Sequence, residues 1–394
     1  MKPLENLLVL DLTRVLAGPY AAMILADFGA NVVKIEPPKT GDDSRAFGPF
    51  IKNESVYFMS LNRGKRSITL NLKNPQAVDL FKEMAKKADV VLENYRPGTM
   101  ERLGLGYEDL RKINPRLIYA ACSGFGHTGP YSDRPAYDVI VQGMGGIMSI
   151  TGQEGGEPTR VGASIGDITA ALFTVIGILT ALYNRQLTGL GQKVDVAMLD
   201  CQVAILENAI ARYLSSGTVP QPLGNRHPSI TPFEAFKARD GYVIIAVGND
   251  KLWAEFCRLL DRPDLASDAR FADNPSRTAN QKALKAILDP IFATRTVDEW
   301  LAALSAAGIP CGPINTIDKV ISDPQILARE MIVETEHPVA GRVKMANLPI
   351  KMSATPGKVE KPAPLLGQHT AEILAELLGL TMSDVEKLKT ANVL

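Results

Sequence analysis

Apolar residues gather along the chain in two rhythms, short unbroken runs and longer stretches at helical spacing. Leu7 to Leu12 (LLVLDL), Asn31 to Glu36 (NVVKIE), Asp89 to Asn94 (DVVLEN) and Leu117 to Cys122 (LIYAAC) are short apolar runs bounded by polar or glycine-rich turns. Such runs read as strands covered on both faces. Ser67 to Leu72 (SITLNL) alternates like a half-exposed strand, and Lys193 to Ala197 (KVDVA) is a further short one. Helical spacing fills Tyr20 to Phe28 and Pro75 to Lys87, with Pro75 suited to a first turn. Strands alternating with helices predict parallel βαβ units.

The middle of the chain changes character. Asp167 to Arg185 predicts one long helix and Leu199 to Ser216 another. Thr218 to Pro232 is rich in proline, glycine and polar residues without a period, which marks a domain boundary. Beyond it, Gly241 to Val247 reads as a strand. Helical runs follow over Lys251 to Leu260, Arg277 to Phe292 and Val297 to Ala307, as in a small α+β domain. From Asp323 come short strand signals and a closing helix, Thr370 to Leu378.

At 394 residues, two domains are expected. Lysine plus arginine balance aspartate plus glutamate at 43 each, so no net field draws nucleic acid or a membrane surface. Cys122, Cys201, Cys257 and Cys311 lie far apart without zinc or redox spacing and read as isolated reduced thiols, with no metal site. The start lacks the apolar run of a signal peptide. Ile168 to Tyr183, interrupted by Thr169, Thr174, Gly177 and Thr180, reads as a buried helix rather than a membrane span. A cytoplasmic protein is expected.

Several residues carry candidate chemistry. Asp167 follows Gly162-Ala-Ser-Ile-Gly166 and opens the long helix, whose positive end favours an ionised carboxylate, as a nucleophile requires. An ordinary capping aspartate is the plain alternative. Gly124-Phe-Gly126-His-Thr-Gly129 has the glycine spacing of a dinucleotide loop. Pro130 follows it, however, and no helix start is available for a pyrophosphate, so neither nicotinamide nor flavin is expected. His127 and His227 are possible acid/base groups, although loop histidines are usually surface polarity. Arg14, Lys39, Arg63, Lys65, Arg66, Lys73, Arg96 and Arg102 gather near strand ends, where ligands of open α/β sheets bind. Arg226, in Asn225-Arg-His-Pro-Ser229, could clamp a carboxylate or simply belong to a turn.

Taken in order, a series of segments resembles the class III coenzyme A transferases. They are Asp11-Leu-Thr-Arg-Val-Leu-Ala-Gly-Pro19, Val33-Lys-Ile-Glu36, Asn62-Arg-Gly-Lys-Arg-Ser67, Glu93-Asn-Tyr-Arg-Pro-Gly98, Gly162-Ala-Ser-Ile-Gly-Asp167, Thr188-Gly-Leu-Gly-Gln192, Gly308-Ile-Pro-Cys-Gly-Pro313 and Pro364-Leu-Leu-Gly-Gln-His-Thr370. The resemblance implies an α/β fold. A Rossmann-like large domain is formed by both termini (1–220 and a return segment 326–394), with a smaller α+β domain (225–325) and an interlocked homodimer. It implies Asp167 as the catalytic residue, with Tyr137, Asp138, Gly166, Arg226 and His227 lining the active site. Coenzyme A contacts fall on Arg14, Val15, Leu16, Ala17, Leu70, Lys73, Asn94, Tyr95, Arg96 and Arg102.

The activity implied is transfer of CoA from a donor such as succinyl-CoA to a small carboxylic or dicarboxylic acid through an aspartyl-CoA intermediate. No glycine-rich loop is found in the small domain, which argues against formyl or oxalate chemistry. Two other readings stay open. One is an α-methylacyl-CoA racemase, disfavoured because Tyr137 stands where a histidine is needed and a phenol shuttles protons poorly at neutral pH; His127 could compensate. The other is a non-catalytic CoA-binding protein.

Overall fold

Residues 2–394 are described in a computed structural model, and they form two compact units. The first takes the chain up to residue 147, then 160–216 and 325–394; the second takes 148–159 and 217–324. Segment 148–159, counted above with the large domain, groups instead with the second unit.

The first unit is built on six strands: Leu8–Asp11, Asn31–Glu36, Arg66–Thr69, Val90–Glu93, Ile118–Ser123 and Lys193–Ala197. They lie in the order third, second, first, fourth, fifth, sixth, and every pairing is parallel. All six runs read from the sequence as strands are present. The order is that of a doubly wound sheet, and it reverses between the first strand and the fourth.

Alternate residues of the central strands serve two cores, because side chains alternate across a sheet. Leu8, Leu10, Val33, Ile35, Val91, Tyr119 and Ala121 face one core, closed by Ile373, Leu374 and Val385 from the C-terminal helices Thr370–Leu378 and Met382–Thr390. Val9, Val32, Val90, Leu92 and Ile118 face the other, closed by helix Ala17–Asp27 and by Ala171, Val175, Ile178 and Ala181 of helix Ile165–Thr188. At 24 residues that helix is longer than its apolar pattern suggested and, by length and composition, long enough to cross a bilayer; half of its most apolar window is packed inside the protein.

Charge is also buried beneath the sheet's carboxyl edge. Asp11, the last residue of the first strand, is fully buried and accepts hydrogen bonds from Lys65 Nζ (2.9 Å) and Thr13 N–H (2.9 Å). Lys65 also donates to Pro19 O (3.0 Å) and Asn62 Oδ1 (2.8 Å). Lys34, equally buried, donates to Thr13 O (2.8 Å) and pairs with Asp42 (2.8 Å). Burial alone would raise Asp11's pKa, but Lys65 and Lys34 outweigh it and hold the carboxyl below its ordinary value. Burial pulls Lys65 down to about 8, so it remains a cation at neutral pH. Arg63 pairs with Asp27 (2.7 Å), and Arg66 with Glu376 (2.6 Å) and Glu372 (2.9 Å). Two of the eight cations grouped above as possible phosphate ligands, Arg63 and Lys65, are therefore committed to buried pairs, and Arg66 to a partly exposed one.

The second unit packs helices on an antiparallel sheet of Phe233–Lys237, Tyr242–Ala246 and Cys311–Pro313. Its core is aromatic: Phe292 stacks on Phe236 (ring centroids 4.5 Å) and tilts against Trp300 (4.6 Å), whose indole N–H donates to Phe292 O (2.8 Å). The predicted helix 277–292 is two, Asn274–Ala279 and Gln281–Phe292, and 199–216 breaks at Glu207, where φ is 25°.

Removing one member of a buried ion pair strands the other, at a cost of about 3–5 kcal/mol. Asp11→Ala is expected to lose stability on that scale in urea unfolding, whereas Asp11→Leu combined with Lys65→Met should lose clearly less. Equal losses would show that the charge pairing is not what the fold needs.

Candidate active site

The loops after the first and fourth strands flank the point where the strand order reverses, the place where open α/β sheets hold ligands. A cavity of about 720 Å³ opens there. Arg14, Val15, Leu16 and Ala17 form one wall, and Asn94, Tyr95, Arg96, Pro97 and Thr99 another. Ser123 and Gly124 close the end of the fifth strand, with Arg134–Tyr137 and Asp167 opposite. Of the residues assigned to coenzyme A above, Arg14, Val15, Leu16, Ala17, Asn94, Tyr95 and Arg96 are brought together here, along with Tyr137 and Asp167.

The first wall is held under strain. Val15 has φ 67°, a left-handed conformation that is an outlier for a β-branched side chain. Such strain typically costs about 1–3 kcal/mol and persists only where the surroundings over-determine it. Here Val15 N–H donates to Asp42 Oδ1 (3.1 Å), while Asn94 brackets Arg14 by accepting from its N–H (2.9 Å) and donating to its carbonyl (2.8 Å). Burial would raise the Asp42 pKa, but the adjacent Lys34 drives it far below the carboxylate range. An ionised Asp42 thus anchors the loop. Ala17 then begins a helix with no side-chain cap, so its first-turn N–H groups lack intrahelical acceptors at the cavity wall.

Asp167 is the third residue of helix Ile165–Thr188. The helix start is pinned by Asp138, whose Oδ1 accepts from Gly166 N–H (2.8 Å) and whose Oδ2 accepts from Gln142 (2.8 Å). Glycine is required at 166: an added Cβ would meet Val141 Cγ2 at 2.7 Å and Asp138 Oδ1 at 3.0 Å. The Gly166 N–H is therefore occupied and is not free to stabilise an oxyanion. Asp138 stands behind Asp167 rather than in the lining.

The electrostatics differ from the sequence expectation. Burial, and then the negative charge of Asp138, push the Asp167 pKa up to about 7. The helix end does not hold it fully ionised: near neutral pH the carboxyl is poised between its two forms, in the range of an effective base or nucleophile.

Tyr57, which sequence reasoning passed over, feels the same charges. Burial raises its pKa to about 12, and Asp167, Asp42 and Asp138 add to the effect. It packs edge-on against Phe47, itself part of the cavity wall (5.7 Å). Val56–Asn62, a seven-residue helix capped by Ser55, carries it, and this helix had no recognisable apolar period.

Other candidates lie elsewhere. Leu70 is buried in the core beside Leu12 and Ile35. Lys73 is exposed at the start of the Pro75–Ala85 helix, and Arg102 lies behind the wall, donating to Thr99 Oγ1 (3.0 Å). His127 is not surface polarity: its Nδ1 is 2.9 Å from Lys193 Nζ and its Nε2 3.7 Å from Glu93. It is absent from the lining of Asp167's cavity, so it is not placed beside Asp167 as a substitute racemase base would be. Glu93 is buried and pushed up to about 8 by that burial, and it accepts from Tyr95 N–H (2.8 Å). Arg226 and His227 belong to the second unit and are absent from the lining of Asp167's cavity. Arg226 lines a groove of about 1080 Å³ within that unit, and His227 stacks on Phe233 (5.2 Å) while its Nδ1 accepts from Ser229 N–H.

A doubly wound sheet with a cavity at its switch point and a poised carboxylate at a helix start defines a ligand-binding α/β enzyme. The sequence matches the CoA-transferase family III model over residues 4–370. The chain therefore belongs to CoA-transferase family III and is an enzyme acting on coenzyme A thioesters. It is 43% identical to succinyl-CoA:glutarate CoA-transferase of Mus musculus over 395 residues, covering 100% of this chain and 91% of that one. It is 46% identical to acetyl-CoA:oxalate CoA-transferase of Acetobacter aceti over 376 residues, 95% of each. The crystal structure of a CAIB/BAIF family protein from Brucella suis superposes with TM-score 0.86 at 42% identity, covering 95% of this chain and 99% of that one. A relative named for oxalate at this identity takes the force from the argument that oxalate chemistry is excluded.

A carboxyl whose folded pKa lies above its unfolded one stabilises the fold only while protonated, and that stability is lost as pH rises through the folded value. Asp167→Asn is therefore expected to raise the melting temperature at pH 8. The gain, on the order of 1–3 kcal/mol for a partly exposed group, should vanish near pH 4. A gain independent of pH between 4 and 8 would contradict the raised pKa.

Proposed function

We propose that the protein transfers coenzyme A from succinyl-CoA to a small dicarboxylic acid, with Asp167 as covalent nucleophile. The observation that carries this reading is a carboxyl with a pKa of about 7 in a cavity at the sheet's switch point, in a chain of this family. The ionised carboxylate attacks the thioester carbonyl of the donor, the C–S bond breaks, and the thiolate leaves a mixed acyl-aspartyl anhydride. The thiolate then attacks the aspartyl carbonyl and expels the donor acid, giving the aspartyl-CoA thioester. The acceptor carboxylate attacks that thioester, and the thiolate returns to the acceptor acyl group of the second anhydride. Each step exchanges one acyl bond for another, so thioester energy is conserved and no ATP is needed.

The chain's own groups support this division of labour. The strained Arg14–Ala17 wall and the Asn94–Thr99 wall suit the coenzyme, with Arg14, Arg96 and the helix start at Ala17 facing its phosphates. Tyr137, a phenol at the mouth, favours transfer over racemisation.

We further propose an interlocked homodimer. Helix Ile165–Thr188 leaves Leu172, Phe173, Ile176, Leu179, Tyr183 and Leu187 exposed as one stripe, and a second copy would cover an apolar face of this kind. A cytoplasmic setting fits four cysteines that are all free thiols.

Two outcomes are expected. With acyl-CoA and hydroxylamine, mass spectrometry should find the adduct on Asp167, and Asp167→Ala should abolish transfer while still binding CoA; an adduct elsewhere would remove the proposal. In the wild type, kcat/KM should rise with pH to a plateau above about 7, and Asp138→Asn should move that limb to lower pH by removing the like charge. For the dimer, Tyr183→Glu with Leu187→Glu should yield monomers in light scattering.

A further inference from the structure

The cavity holds a cation that the transfer chemistry above leaves without a role. Three arginines line it, Arg14, Arg96 and Arg134. Arg14 is ion-paired to Asp43, and Asp43 and Asp167 are the only carboxylates in the lining. Arg134 has no carboxylate partner within ion-pair distance among the described residues. Its guanidinium lies 3.9 Å over the ring of Tyr131, and Tyr131 in turn packs edge-on against Phe125 (5.9 Å), which is buried with Ala17, Val141, Ala170 and Met198. The backbone N–H of Arg134 donates to Tyr131 O (2.9 Å), tightening the turn that presents it. A guanidinium stacked through its face keeps its in-plane N–H fork free for two parallel hydrogen bonds to a carboxylate.

Position separates Arg134 from Arg96. Arg96 follows the fourth strand, beside the wall that faces the coenzyme. Arg134 opens the Arg134–Tyr137 strip that runs directly into Asp138, and Asp138 holds the first turn of the helix bearing Asp167. Arg134 thus sits on the acyl side of the cavity. Arg134 is solvent-exposed at the cavity mouth, and an unpaired guanidinium there favours a second negative charge over an aliphatic acyl tail.

We propose that Arg134 is a specificity-determining residue, the anchor for the non-reacting carboxylate of a dicarboxylic substrate; this rests on the transfer reaction proposed above. The test compares two donors of equal length in the full-length enzyme, succinyl-CoA and butyryl-CoA, by single-turnover CoA release in the presence of hydroxylamine, with kcat/KM read as the second-order rate constant of that turnover. Arg134→Gln should lower kcat/KM for succinyl-CoA by roughly two- to fivefold, the scale of a charge pair at an exposed position. It should leave the butyryl-CoA value unchanged or improved. Arg134→Lys keeps the charge without the planar fork and should lose a smaller part, again for succinyl-CoA alone. Equal losses on both donors, or no loss on either, with an unchanged melting temperature would overturn the assignment. If Arg134→Gln does not fold, the Arg134→Lys ratio decides by the same criterion. Failure of the wild type to label Asp167 with any acyl-CoA is a different result and sinks the transfer reaction itself.

Discussion

A buried charge pair ends the first strand, and the working edge of the large unit depends on it. Asp11 and Lys65 neutralise each other without water, and Lys34 reaches across to Asp42. Apolar side chains could fill the same volume, but they would not supply directed acceptors. Lys65 fastens the start of the first helix through Pro19 O, and Asp42 fastens Val15 through its N–H. The polar layer thus fixes where the chain leaves the sheet, and the cavity wall takes its shape from that exit. Solvation of any one member would release the loop as well as the pair.

The site above this layer combines parts of opposite character. One wall is rigid and strained, its backbone held by hydrogen bonds to the side chains of Asp42 and Asn94, distant in sequence. The other side carries Asp167 at the head of a long helix, near a second acid that keeps its proton affinity high. Rigidity and charge crowding both oppose stability, and both are confined to the mouth of one cavity. Such confinement is expected where a protein holds reactive groups in place before a ligand arrives.

The strands were legible because a central parallel strand must be apolar on both faces, and four short runs met that condition, while the two edge strands showed as a half-exposed alternation and a short apolar–polar run. Helix Thr370–Leu378 was equally clear, with Gly379 in the left-handed position just past its end. The small helices Val56–Asn62, Tyr107–Ile113 and Asp138–Met144 were not, because seven residues hold too few turns for a period to emerge. Tyr57 was lost for that reason. The position of Asp167 was visible as a carboxylate after a glycine segment opening an apolar helix. Its proton affinity was not, since that depends first on burial and then on Asp138, both set only by tertiary packing. The cations near strand ends misled for a similar reason: spacing cannot tell Arg63 and Lys65, locked inside, from Arg14 and Arg96, which face the cavity.

The closeness of Asp138 to Asp167 has a consequence for the covalent cycle proposed here. While both acids are charged, the resting enzyme stores electrostatic tension at the helix start. Conversion of the Asp167 carboxylate into the neutral acyl anhydride, and then into the aspartyl-CoA thioester, removes its charge, and the tension disappears. Each hydrolysis or release that regenerates the free acid restores it. The empty enzyme is thereby biased toward its loaded forms, like a spring that relaxes on capture and is wound again by turnover.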